Sequence, residues 1–104
     1  MMAKTYKDKL NFLKKEAARR GLKIKKDKRL TKTPYRASHP LVEDMIGVKN
    51  KGKFITYEPR TERNKRRLVM DINHEICEFD LMKKGYSYRH AHKISNRKQR
   101  KIGC

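Results

Sequence analysis

Residues 69–95, "VMDINHEICEFDLMKKGYSYRHAHKIS", concentrate the side chains of this chain that can transfer protons or bind metals. They include four of the eleven carboxylates and three of the four histidines, in a protein of formal net charge +19. Imidazoles and carboxylates are common ligands of divalent metals, and imidazole also titrates near neutral pH. The segment is therefore the first place to look for a metal or catalytic site.

Helical spacing brings some of these groups together. His74 and Glu78 are four residues apart, which places them on one face of a helix. His92 belongs to a stripe with Ala91 and Ser95 on a second helix, and only "GYS" separates the two helices. Apolar neighbours on both stripes indicate that these faces meet across a tight hairpin. The predicted metal ligands are therefore His74, Glu78 and His92.

The stretch "HEICE", residues 74–78, resembles the HExxH helix of zinc metallopeptidases, in which two histidines bind zinc and the intervening glutamate activates water. His74 and Glu75 match this pattern, and Glu78 stands where the second histidine is expected. A carboxylate also binds zinc, and His92 can complete a set of three ligands. The resemblance implies a zinc hydrolase in which Glu75 is the catalytic residue.

Two other metal hypotheses use the same segment. A structural zinc site would take Cys77 and His90 with His74 and His92, but residues two apart on a helix point in different directions. A metal-dependent nuclease centre would use the His/Glu cluster to activate water, while basic side chains hold the phosphate backbone. Zinc or another divalent metal is the cofactor that either hypothesis requires.

The interpretation that we favour from sequence alone needs no ion and no cofactor. Asp71 and Glu75 lie in the expected first turn of a helix, where the helix dipole favours negative charge by about 0.3–1 kcal/mol. Glu78 and Asp80 can pair with the second helix, which carries no acids. The chain is then a binding protein and not an enzyme.

The charge balance predicts a polyanionic partner. Thirty Lys and Arg side chains oppose eleven Asp and Glu, and the sequence pI is near 10.3. Nucleic acid, DNA or RNA, is the commonest neutraliser, through phosphate contacts. An acidic protein partner or an anionic membrane surface is the third hypothesis. The predicted nucleic-acid-binding residues are Lys14, Lys15, Arg19, Arg20, Arg63, Lys65, Arg66, Arg67, Arg89, Lys93 and Arg97.

The N-terminal half of the chain predicts one helix and two short strands. Apolar residues recur at helical spacing through residues 5–20, whose other faces are basic, and Gly21 follows as a stop signal. The stretch "GLKIKKDKRL" alternates briefly and predicts an edge strand. A loop with a short helical turn after Pro40 comes next. Residues 53–58 are rich in β-formers, follow the turn "NKGK", and predict a second strand.

The C-terminal half predicts a third strand and the helix hairpin. Residues 67–72 are a short apolar run, expected to be a buried strand antiparallel to residues 53–58. Asp71 or Asn73 then caps a helix that stops at Gly85, and Ser87 caps the next helix. The predicted fold class is α+β, with an N-terminal basic helix, a short antiparallel β-sheet and a C-terminal αα-hairpin.

Length and hydropathy predict one small basic domain over residues 1–104, with residues 1–4 and 99–104 frayed. There is no apolar run of transmembrane length and no signal-peptide pattern after the initial Met-Met. We therefore expect a cytoplasmic protein. Two cysteines do not make a disulfide framework, so Cys77 and Cys104 are expected to be reduced.

Overall fold

The computed structural model describes residues 5–42, 52–99 and 101. These residues form three α-helices, three short strands and two 3-10 turns, Lys28–Lys32 and Pro59–Arg63. The predicted α+β class, with an N-terminal basic helix and a C-terminal helix hairpin, is confirmed. The helices and strands, in chain order, are α1 (Tyr6–Arg19), β1 (Lys23–Lys26), β2 (Ala37–Ser38), β3 (Phe54–Tyr57), α2 (Lys65–Lys83) and α3 (Tyr88–Lys98).

Some sequence predictions fall on residues that are not described. Most of the helical turn expected after Pro40 and half of the turn "NKGK" lie within residues 43–51. Residues 1–4, 100 and 102–104 are also outside the described ranges. The fraying of the two ends therefore stays a prediction.

Helix α1 begins and ends where its sequence signals indicate. Thr5 caps it, because its hydroxyl accepts a hydrogen bond from the Asp8 backbone at 3.1 Å and the Asp8 side chain accepts one from the Thr5 backbone. This reciprocal pair is a capping box. Gly21, with φ +76°, ends the helix in a backbone conformation that glycine adopts without strain. Leu13 and Ala17 form the buried stripe of the helix.

The sheet is short, as predicted, but mixed. Its order is β1-β3-β2, with β1 parallel and β2 antiparallel to β3. The Ser38 and Thr56 hydroxyls, both fully buried, share a hydrogen bond of 2.7 Å across the antiparallel pair. The central strand β3 therefore obtains its partners from residues that precede it in the chain.

The prediction of a buried strand at residues 67–72 is wrong. These residues are the beginning of α2, a helix of 19 residues. Leu68, Ile72, Ile76 and Phe79 are spaced at helical intervals and all belong to the core. Residues 67–72 resemble a strand only when they are read without Ile76 and Phe79, which continue the helical stripe.

The predicted caps of this helix are wrong for the same reason. Asn64 caps α2 instead, since its side chain accepts a hydrogen bond from the Arg67 backbone at 3.1 Å. Asp71 and Asn73 are buried inside the helix. The Asn73 amide donates to the backbone oxygens of Gln99 and Lys101, which ties the end of α3 to α2.

Helix α2 is the central element of the molecule. It contacts α1, β2, β3 and α3, and eleven of its residues are buried. The α2–α3 hairpin is confirmed, with Gly85 at φ +105° and Ser87 as the cap of α3. Arg20, at the end of α1, forms a two-pronged ion pair with Asp80 of α2, at 2.6 Å for each contact. Both other helices and two of the three strands are thus positioned directly against α2.

Two predictions from the sequence concern membrane-spanning segments and the state of the cysteines. Among the helices in the described ranges, none combines the length and apolar character needed to cross a bilayer. Cys77 is buried and disulfide-bonded, so the expectation of a reduced thiol there is wrong. Cys104 lies outside the described residues. The cytoplasmic location stays a prediction.

The start of α2 can be tested at its cap. Replacing Asn64 with Ala removes the hydrogen bond to the first turn and should lower the free energy of unfolding by about 1 kcal/mol. The matched control is Asn11→Ala, an exposed position inside α1, where alanine should be neutral or slightly stabilising. Urea denaturation measures both. An Asn64→Ala variant as stable as the wild type would contradict a helix that begins at Lys65.

Candidate metal centre

Glu78 is the centre of a buried cluster of histidines. Its side chain is 2% exposed and contacts three imidazoles. His39 Nε2 lies 2.8 Å from Oε1, while His74 Nε2 and His92 Nδ1 lie 3.1 and 2.8 Å from Oε2. These residues come from the segment after β2, from α2 and from α3. The structure therefore brings together His74, Glu78 and His92, as the helical spacing indicated.

The distances in this trio are close to those that a metal ion requires. One ligand atom from each residue lies within 4.8 Å of the others. Tetrahedral zinc, with bonds of about 2.0–2.2 Å, separates its ligands by about 3.3 Å. The two contacts to Glu78 Oε2, 3.1 and 2.8 Å, are a few tenths of an ångström shorter. His92, with 44% of its side chain exposed, opens the trio to solvent.

The His74 ring is held on both sides. Its Nδ1 lies 3.2 Å from Gln99 Oε1, and its Nε2 lies 3.1 Å from Glu78 Oε2. The ring is therefore positioned between the amide that follows α3 and the carboxylate at the centre of the cluster.

His39 was missed by the sequence analysis. It is fully buried, and its Nδ1 accepts a hydrogen bond from the Leu41 backbone at 3.2 Å. Its Nε2 therefore carries the proton and donates it to Glu78 Oε1. His39, Glu75 and Glu78 also lie close enough together to hold an ion, but in this tautomer His39 has no free lone pair for it. His39 instead orients Glu78, as partners of metal-binding carboxylates do.

Glu75 and Asp71 add two carboxyl groups with incomplete hydrogen bonding. Glu75 is 7% exposed, and its Oε1 has no hydrogen-bond partner among the described residues. Burial raises the pKa of Glu75 well above its usual range, and the charges of Glu78 and Asp71 add to this effect. Burial also raises the pKa of Asp71, against the opposing charges of Arg36 and Arg67. The predicted catalytic residue Glu75 is thus a buried acid beside the trio.

The pKa of Glu78 is shifted in the opposite direction. Burial raises its pKa, but the hydrogen bonds from His39, His74 and His92 outweigh burial and lower the pKa to about 2. The environment therefore shifts the pKa values of two carboxyl groups on one helix face in opposite directions. Glu78 is ionised, and Glu75 favours its protonated form. Such divergent carboxyl groups are typical of catalytic sites.

The cluster lies in the wall of a cleft of about 250 Å³. Tyr35, Arg36 and Ala37 form one side of the cleft, and Tyr88 and Asn96 of α3, with Gln99 directly after the helix, form the other. Burial raises the pKa of Tyr88 to about 12, and the charges of Glu78 and Glu75 add to the shift. The cleft is large enough for a small polar group of a ligand and too small for a folded protein chain.

The structural zinc hypothesis with Cys77 and His90 is not supported by the fold. Cys77 is disulfide-bonded and cannot also bind zinc. His90 is exposed on α3, where its ring lies 5.0 Å from that of Tyr86. Neither residue joins the trio.

The predicted nucleic-acid-binding residues lie on several surfaces and none of them lines the cleft. Most are exposed, but Arg20 and Arg67 are half-buried, and the guanidinium of Arg20 is held by Asp80. Arg36 lines the cleft and was missed. It was overlooked because it is an isolated arginine outside the strongly basic stretches.

Comparisons with family models, curated proteins and solved structures gave no significant match to this chain. Three features of the cluster define its chemistry: a buried ionised carboxylate, two imidazoles sharing one of its oxygens, and a second carboxyl group with an oxygen that has no partner among the described residues.

The depressed pKa of Glu78 predicts the acid stability of the metal-free protein. A carboxyl group with a folded pKa of about 2 contributes stability that is complete above its ordinary pKa of 4.5 and is lost as the pH falls towards 2. Glu78→Gln should be less stable than the wild type by about 3 kcal/mol at pH 7, since it removes the negative charge and one of the two oxygens that the imidazoles contact. The difference should shrink between pH 5 and 2 in denaturation curves recorded with a chelator. A difference that is independent of pH would contradict the assignment.

Proposed function

We propose that this protein is a metal-dependent hydrolase whose divalent ion is bound by His74, Glu78 and His92. The supporting observation is that His74 Nε2 and His92 Nδ1 lie 3.1 and 2.8 Å from the same buried oxygen of Glu78. Three protein ligands with an open fourth position are typical of catalytic zinc, whereas structural zinc has four. Imidazole and carboxylate ligands also suit manganese and iron.

Each neighbouring residue has a definite role in this proposal. His39 donates to Glu78 Oε1 and directs Oε2 towards the ion. Gln99 holds the His74 ring through Nδ1 and leaves Nε2 free to bind. These contacts from outside the ligand set hold the carboxylate and the His74 ring in place before an ion arrives, which raises affinity.

Glu75 is the proposed proton carrier. Its carboxyl group lies 3.8 Å from His74 Nε2, within reach of a water beside the ligands. A bound divalent ion lowers the pKa of water and polarises the bond to be broken. The same positive charge favours the ionised form of Glu75. Glu75 then takes a proton from the attacking water and returns it to the leaving group as the bond breaks.

Nucleic-acid binding without catalysis is the second candidate function, and the net charge of +19 favours it. That function needs no ion in the cleft and gives no role to the unpartnered oxygen of Glu75. The third hypothesis, docking on an acidic protein or an anionic membrane, likewise makes no use of the cleft. Metal dependence therefore distinguishes the proposed hydrolase from both.

Metal binding can be measured directly. After dialysis against a chelator, calorimetric titration with zinc or manganese should give one ion per chain, and binding should raise the melting temperature by mass action. His92→Ala should weaken binding at least 10-fold, because it removes one of three ligands. The matched control, His90→Ala, lies two residues away on the exposed face and should bind like the wild type.

Equal affinities of the His92→Ala and His90→Ala variants would contradict this ligand set. Absence of binding at the wild-type cluster would contradict the proposal as a whole. Circular dichroism of each variant verifies that α3 is intact.

Substitution of Glu75 separates metal binding from catalysis. Glu75→Gln should retain the ion and lower the hydrolysis rate by about 10²- to 10⁴-fold, the usual contribution of a proton carrier. It should also raise the free energy of unfolding of the metal-free protein, because a neutral amide removes a carboxyl group that burial disfavours. Hydrolysis of bis(p-nitrophenyl) phosphate and of a fluorogenic peptide, with urea denaturation, measures both effects. Unchanged hydrolysis would remove Glu75 from the mechanism.

A further inference from the structure

Helix α3 presents two parallel stripes of different chemistry. Tyr88, His92 and Asn96 face the cleft. Arg89, Lys93 and Arg97 recur at intervals of four, and each basic residue follows a cleft-lining residue by one position. One residue corresponds to a rotation of about 100° on a helix, so the basic stripe lies on the face of α3 next to the face that lines the cleft.

The basic stripe is defined here as Arg89, Lys93 and Arg97. All three side chains are exposed, and no ion pair within the described ranges involves them. The acids of the adjacent helix are used elsewhere, because Glu78 binds the histidines and Asp80 binds Arg20. The stripe does not serve to neutralise α2, which was the role that the sequence suggested for it.

The opposite wall of the cleft also carries positive charge. Arg36 lines the cleft, and 57% of its side chain is exposed. Its Nε lies 3.4 Å from Asp71 Oδ2, so the carboxylate holds the guanidinium at the wall while the rest of the group faces solvent. Tyr35, 39% exposed, lies beside it. The cleft therefore lies between the basic stripe and an arginine with a neighbouring aromatic ring.

From this arrangement we infer that a single-stranded nucleic acid lies along the basic stripe and places one backbone phosphate in the cleft. A row of cations along a groove with aromatic rings beside it is the usual arrangement for binding unpaired strands. The cleft volume of about 250 Å³ admits a phosphate and excludes a duplex. The inference rests on the proposed hydrolase, for which it names the substrate as a phosphodiester.

The experiment compares two triple variants that lose the same charge. In the first, Arg89, Lys93 and Arg97 become alanine. In the matched control, Lys7, Lys14 and Lys15 of α1 become alanine; these side chains are exposed, and α1 does not line the cleft. Circular dichroism verifies both folds. Binding of a labelled single-stranded oligonucleotide, DNA and RNA in turn, is measured by fluorescence anisotropy from about 50 to 200 mM salt.

The stripe variant should bind at least 10-fold more weakly than the wild type at the lowest salt. Its salt slope should be shallower by about 2, since each single-strand phosphate contact contributes about 0.7. The control should remain within threefold of the wild type. Equal losses in the two variants would overturn the inference, because they would show that charge acts over the whole surface. Tighter binding to phosphatidylserine vesicles or to polyglutamate than to the oligonucleotide would also overturn it.

A hydrolysis assay connects the stripe to the cleft. With the metal-loaded protein, the oligonucleotide should competitively inhibit cleavage of bis(p-nitrophenyl) phosphate, and inhibition should be at least 10-fold weaker in the stripe variant. Cleavage without inhibition would overturn the inference and leave the hydrolase standing. Hydrolysis of the fluorogenic peptide but not of bis(p-nitrophenyl) phosphate would likewise overturn the inference and leave the hydrolase standing. If the metal-loaded protein hydrolyses neither substrate but still binds the oligonucleotide through the basic stripe, the hydrolase is refuted and the binding surface is supported.

Discussion

A single buried carboxylate, that of Glu78, determines the arrangement of the site. A carboxylate removed from water is costly unless hydrogen bonds or charges compensate it. Three imidazoles provide that compensation, from His39 beside β2, His74 on α2 and His92 on α3. The position of Glu78 therefore couples the sheet edge to both helices of the hairpin. An ion bound to this group would find its ligands already held by the fold.

The acids of residues 69–95 have distinct tasks in so basic a chain. Asp80 binds Arg20 and holds α1, so its role is structural. Asp71 holds Arg36 at the wall of the cleft. Glu75 has a buried oxygen without a hydrogen bond in the described structure, which lowers stability and is typical of a functional group. Three of the four acids are thus buried together, while most of the basic residues that the structure describes are exposed.

Local periodicity was sufficient to predict the trio. Four-residue spacing joined His74 to Glu78, and the short "GYS" connection brought His92 to them. His39 could not be predicted, because 35 residues separate it from His74 and only the tertiary fold brings them together. The start of α2 was missed because Leu68 and Val69, taken alone, fit a strand as well as a helix. The parallel pairing of β1 with β3 depends on long-range packing, which local patterns do not encode.

The most direct test of the central claim is a crystal structure of the zinc-loaded protein with anomalous scattering recorded at the zinc edge. The proposal predicts one strong peak about 2.0–2.2 Å from His74 Nε2, His92 Nδ1 and Glu78 Oε2, with a water or other small ligand in the fourth position. His39 should remain hydrogen-bonded to Glu78 Oε1. A peak elsewhere, or a cluster in which Glu78 keeps its present contacts with no ion beside it, would contradict the account.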